Sequence, residues 1–196
     1  MKILLFAFIF LFLACSDSPK STNLSQDFER ILSQVQEKQQ PQAPRELVDT
    51  AKSLIDRSES YGYKLINTQE LHSMLLKEQV ILIDTSLKGQ YLLEHLVGAK
   101  HFAFNSSSLT TQGELKWQDK KHSQQEFQSK LGENLLAPIV FYTHQALIGL
   151  KADSADIGCM WAKKMGYHNV YRLIGGLESW KAKKFPITNE VPKCCQ

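Results

Sequence analysis

The segment Pro138-Ile-Val-Phe-Tyr142 is an apolar run of β-branched and aromatic residues, and it predicts a buried strand. Just past it stand Thr143-His-Gln-Ala-Leu-Ile-Gly-Leu-Lys-Ala-Asp153. In open α/β sheets, chemistry gathers at the carboxyl ends of strands, where a loop feeds the next helix. Thr143 opens that loop, but a threonine hydroxyl is a nucleophile only beside a dedicated base. His144 is its neighbour in sequence. Adjacent residues of an extended segment point to opposite sides, so His144 is not expected to serve Thr143. Lys151 could hold an anion, though one loop lysine is more simply a solvated charge. The apolar stretch Ala146-Leu147-Ile148-Gly149-Leu150 either folds back into a pocket or offers a surface to a partner.

Thiols offer a second chemistry. Cys159 lies well inside the helix expected over 154–165, where little would depress its pKa. It sits near one border of that helix with Ala155 and Ala162, while Ile157, Gly158, Trp161 and Met165 form the centre of the buried face. It therefore reads first as a small, partly buried core residue and second as an alternative reactive thiol. Cys194 and Cys195 follow on a polar tail, as a tail disulfide, an intermolecular one or free thiols. No His/Cys spacing converges on a tetrahedral set, so neither metal nor cofactor is expected.

Positioning these groups requires elements, and the chain supplies them from Tyr63 onward. Strand signals at Lys64–Ile66, Val80–Asp84, Lys100–Phe104, Pro138–Tyr142 and Asn169–Ile174 alternate with helix signals. The helices are expected from Asn67, which opens a capping box, to about Lys77, near Gly89–His95 and Ser123–Leu131, over 154–165, and over Leu177–Lys183. Such alternation argues for an α/β domain over 63–187 with a mainly parallel sheet. Residues 15–62 are rich in Ser, Gln and Lys and carry two amphipathic stretches. Leu24, Phe28, Ile31, Leu32 and Val35 share one helical face; Leu47, Val48, Ala51, Leu54 and Ile55 share the other. Gln39-Gln-Pro-Gln-Ala-Pro44 separates them, because proline ends a helix. This region is expected to be a tether with two short helices. Residues 188–196 form the Cys-containing tail.

The first 14 residues read as a targeting signal. Lys2 precedes an unbroken apolar run from Ile3 to Ala14, 12 residues long, whereas a membrane span needs about 20. Leu13-Ala14-Cys15-Ser16-Asp17 then resembles the lipobox of bacterial lipoproteins, with Phe12 where leucine is usual. The resemblance implies cleavage before Cys15, lipidation there, and sorting to the outer membrane facing the periplasm. The formal net charge of the 196-residue chain is only +3, with basic residues scattered, so no nucleic-acid partner is expected.

Six blocks in order resemble the rhodanese-like domain family over about residues 62–187. They are Leu65–Leu71, Val80–Asp84, Glu94-His-Leu-Val-Gly-Ala99, Ile139–Tyr142, Met165–Tyr171 and Gly175-Gly-Leu-Glu-Ser-Trp180. The resemblance implies a twisted parallel sheet with helices on both faces and an active loop after Tyr142. That family moves a sulfane sulfur on a cysteine thiolate held by backbone amides and a helix N-terminus, and the resemblance places the cysteine at Thr143. A hydroxyl cannot form a persulfide. The loop here is also longer than the family's compact arc and holds no Arg. Asp153 and Asp156 at the following helix start would repel an anionic sulfur donor. Structural duties are expected elsewhere: Asp84 accepting from loop amides, His95 bracing a turn, Trp180 anchoring the last helix, and Gly98, Gly175 and Gly176 at positive φ. The reading is a lipid-anchored binding module, contacting a protein through loop 144–152 or the tether. The alternative is a sulfurtransferase, persulfide carrier or thiol oxidoreductase using Cys159 or Cys194/Cys195.

Overall fold

A computed structural model of the protein describes residues 24–104, 114–145 and 150–190. Cys15, Leu147, Ile148, Cys194 and Cys195 lie outside them, as does the targeting segment. The elements run α1 (Leu24–Gln36), α2 (Arg45–Tyr61), β1 (Lys64–Ile66), α3 (Thr68–Leu75), β2 (Ile81–Asp84), α4 (Lys88–Leu93), β3 (His95–Leu96), β4 (Lys100–His101), α5 (Gln124–Leu131), β5 (Ile139–Tyr142), α6 (Ser154–Lys164), β6 (Val170–Leu173), α7 (Gly176–Ala182) and β7 (Ile187–Thr188). Among the described residues no helix is long and apolar enough to cross a membrane.

Five strands form one parallel sheet in the order β1-β6-β5-β2-β4. β5 is central, and all four of its residues are buried. Successive side chains alternate between faces. Ile139 and Phe141 enter a core with Phe127 and Leu131 of α5 and Met160 and Trp161 of α6. Val140 and Tyr142 enter the opposite core with Leu71 of α3 and Leu177 and Trp180 of α7. Cover on both faces explains why this strand is continuously apolar rather than alternating. A separate pair, β3 with β7, is antiparallel and joins His95–Leu96 to Ile187–Thr188.

Capping boxes begin α3 at Asn67 and α5 at Ser123, each with its side chain bonded to the third helical amide. The α1–α2 pair packs on the domain. Phe28, Ile31, Leu32 and Leu54 are buried with Ile174, next to β6. Burying each such side chain contributes about 1.5–3 kcal/mol, whereas isolated helices this short are marginal. Glu29 adds a polar anchor by accepting from the Thr68 amide at 3.1 Å and from the Thr68 hydroxyl.

Candidate functional site

The loop after β5 has a near side at residues 143–145 and a far side from 150 onward. On the near side Thr143 is half-buried, and its Oγ1 donates to the Gln145 carbonyl at 2.7 Å. Its proton is thus directed to a carbonyl and not to a base. The carbonyls of Thr143 and His144 accept from the amides of Leu177 and Glu178, both at 3.0 Å. Those amides lie in the first turn of α7, where no intrahelical partner exists. The loop backbone satisfies them, so they do not face a ligand. Gly176 permits the approach: its φ is +61°, and a Cβ there would stand 2.6 Å from the Thr143 carbonyl oxygen.

Gly98 also has positive φ, at +80°, but Gly175 corrects the sequence expectation. Its φ is −84°, accessible to any residue. What demands glycine there is space, since a Cβ would meet Ser179 Cβ at 2.3 Å and Glu29 Oε1 at 2.6 Å.

The far side is held by groups from distant segments. Arg57 Nη1 and Ser53 Oγ, both on α2, donate to the Leu150 carbonyl at 3.1 and 3.2 Å. Asp153 caps α6 by accepting from the Asp156 amide at 3.0 Å. Asp156 itself is fully buried. Its carboxylate lies 2.9 Å from Arg172 Nε and 3.1 Å from Arg57 Nη2, and it accepts from the Tyr63 hydroxyl at 2.9 Å. Arg172 Nη2 reaches Asp153 at 2.6 Å. Burial alone would lower the Arg172 pKa, but Asp153 and Asp156 outweigh it and hold the guanidinium firmly charged. Burial, then the Asp156 carboxylate, pushes the Tyr63 hydroxyl far above its ordinary range. The expected acidic helix start therefore projects no net charge: its two carboxylates are matched by two guanidinium groups.

Cys159 departs from the expected partly buried border position, being fully buried. Every residue of α6 from Ala155 to Ala162 is buried. The sheet covers one side, α2 reaches Asp156 from another, and Trp117 packs edge-on against Trp161. The Cys159 Sγ–H donates to the Tyr171 carbonyl at 3.5 Å, and burial pushes the thiol well above its usual pKa. Leu150 and Lys151 are exposed.

The remaining sequence candidates are spread around the loop. Asp84, buried at the end of β2, accepts from the Ser86 amide at 2.8 Å. His95 is buried, with Nδ1 2.7 Å from the Tyr91 carbonyl and its ring stacked on Tyr91. Trp180 is buried and donates to the Pro186 carbonyl at 2.9 Å.

One grouping had no signal in the sequence. His144 turns its ring away from Thr143, and Nε2 lies 3.1 Å from Glu178 Oε1 and 3.6 Å from Glu94 Oε1. Lys181 Nζ sits on the same two oxygens, at 2.6 Å from Glu94 and 3.2 Å from Glu178. Its hydrogen bond to Glu94 raises the Lys181 pKa. Glu94 ends α4, His144 belongs to the loop and Glu178 to α7, so no local spacing links them. A depression of about 870 Å³, lined in part by Lys88, Tyr91, His101, Phe102 and His122, lies at the β4 edge, two strands from the loop.

Residues 67–183 match the family model of the rhodanese-like domain. No curated protein matches the chain. Among solved structures, it is similar to a rhodanese-related protein from Thermoplasma volcanium, at 13% identity and a TM-score of 0.45, over 65% of this chain and 100% of that one. A thiosulfate sulfurtransferase from Pseudomonas aeruginosa matches at 16% identity and a TM-score of 0.47, over 68% of this chain but 22% of that one. A possible tyrosine phosphatase from Rhodopseudomonas palustris matches at 14% identity and a TM-score of 0.44, over 76% of this chain and 99% of that one.

Proposed function

The chain belongs to the rhodanese-like domain family, and we propose that it works there as a binding module without thiosulfate sulfurtransferase activity. The carrying observation is Thr143. It opens the loop after β5, where the family resemblance puts the sulfur nucleophile, and its hydroxyl is spent on the Gln145 carbonyl. Sulfane transfer needs a thiolate that attacks the donor sulfur, keeps it as a persulfide and yields it to an acceptor. Threonine has no atom for the second role. Cys159 does not replace it, because a fully buried thiol with a raised pKa meets neither donor nor acceptor.

The binding surfaces in this reading are the apolar loop, whose Leu150 is 62% exposed, and the α1–α2 region. A lipid on Cys15 holds the module at the outer membrane on its periplasmic side. Metabolic labelling with a radioactive fatty acid tests this anchor: incorporation is expected, and it disappears in Cys15→Ala.

A thiosulfate:cyanide assay tests the central claim. The native chain is expected to show no rate above the uncatalysed background, and mass spectrometry after thiosulfate treatment should find no persulfide on any cysteine. Thr143→Cys is expected to remain inactive, because the near-side carbonyls point at α7 and the loop lacks the family's arginine. Turnover that vanishes in Cys159→Ser, or in Cys194→Ser with Cys195→Ser, would overturn the reading.

A further inference from the structure

We propose that Glu94, His144 and Glu178 form a divalent-metal site beside the loop, of the mixed imidazole–carboxylate kind that takes Zn²⁺ and neighbouring first-row ions. Geometry carries the proposal. The donor atoms of the three residues all lie within 4.8 Å of one another. His144 Nε2 is 3.1 Å from Glu178 Oε1 and 3.6 Å from Glu94 Oε1. Ligands bonded at about 2.0 Å around a tetrahedral ion are about 3.3 Å apart. The imidazole–carboxylate spacings bracket that edge length before any ion enters.

The ring's setting is a separate observation. Among the described residues His144 Nδ1 is buried and has no hydrogen-bond partner. Nε2 is the ring nitrogen that faces both carboxylates, and ligation through it places the ring proton on Nδ1.

The charge balance points the same way. Two carboxylates converge on one ammonium, that of Lys181, at 2.6 and 3.2 Å. The spot already favours a cation, and one lysine leaves one negative charge uncompensated. Lys181 has a side chain 32% exposed on a flexible stem. It can swing into water and surrender both oxygens to a metal. Three protein ligands then leave an open position for water or for a group from a partner. The ion would tie the loop at the residue after Thr143 to the end of α4, and would add to the backbone hydrogen bonds that already join His144 to α7.

The test uses the full chain carrying Cys15→Ser, Cys194→Ser and Cys195→Ser, so that no accessible thiol competes. Isothermal titration with ZnCl₂ is expected to give one ion per chain, and CoCl₂ should develop d–d absorption at the same stoichiometry. Loss of a supporting outer-sphere contact typically weakens metal binding by about 10- to 100-fold; His144→Ala, which removes a ligand, is expected to weaken it by at least about 100-fold. Lys181→Met should bind more tightly, because the competing ammonium is gone. That variant keeps the test valid if His144→Ala disturbs the loop. No stoichiometric binding by the parent chain, binding undiminished in His144→Ala, or no gain in Lys181→Met would each overturn the site.

Discussion

Two clusters of charge flank the loop after β5, and they differ chiefly in their access to water. On the far side, Asp153, Asp156, Arg172 and Arg57 meet beneath α2, with the Arg172 and Asp156 side chains 1% and 0% exposed. On the near side, Glu94, His144, Glu178 and Lys181 meet in a half-exposed corner. The pair types are similar, yet their physical roles differ. In the dry cluster an uncompensated charge is very costly, so every carboxylate is met by a guanidinium and the charge cancels. In the wet cluster solvent and salt screen each contact, so partners can be exchanged at little cost. Burial makes the first a fixed strut between the α1–α2 region and the sheet. Exposure leaves the second able to respond to an added cation.

This contrast can be broken experimentally. Arg172→Met removes the guanidinium shared by Asp153 and Asp156, leaves the buried Asp156 with only Arg57 and the Tyr63 hydroxyl, and is expected to cost about 3–5 kcal/mol, the range for breaking a buried pair. Urea unfolding measures it; a loss below about 1 kcal/mol, the scale of exposed pairs, would erase the distinction between the clusters. Arg57→Met should cost less, about 1–3 kcal/mol, since Asp156 keeps Arg172 and the Tyr63 hydroxyl. It also leaves the Leu150 carbonyl with Ser53 alone, so limited proteolysis should cut the loop faster than in the native chain; unchanged cleavage would show that Arg57 does not hold it. Lys181→Met is expected to change stability by no more than about 1 kcal/mol, with the difference shrinking in high salt. A salt-independent loss comparable to that of Arg172→Met would mean that the wet cluster is not wet.

Sequence patterns located the central strands, the capping residue Asn67, the helix start near Ser123 and the loop at Thr143, because each is a local signal. Apolar runs mark buried strands, and a polar side chain three residues before a Glu marks a helix start. Arg172 carries no local signal, because it stands in a strand whose neighbours, Tyr171 and Leu173, are apolar. Its acidic partners lie on another element. Arg57 was harder still, being 99 residues from Asp156 and outside the span that matches the family. β3 and β7 have two residues each, too few for a period to show. Periodicity places Cys159 at a helix border because it assumes one wet face, and α6 has none over 155–162.

By itself the sequence determined that strands and helices alternate in the order of a rhodanese-like domain. It also determined that the residue opening the loop after Tyr142 carries no sulfur. Both follow from residue type and short-range spacing. Only the tertiary structure decided which charges meet: that the aspartates at the start of α6 are neutralised by Arg57 and Arg172, and that His144 faces Glu94 and Glu178 instead of Thr143. Gly175 belongs with these, since Glu29 of α1 crowds it together with the local Ser179. The reason is common to all. The worth of a charge or a missing Cβ depends on the dielectric and the atoms around it, and folding brings those from residues far away in the chain.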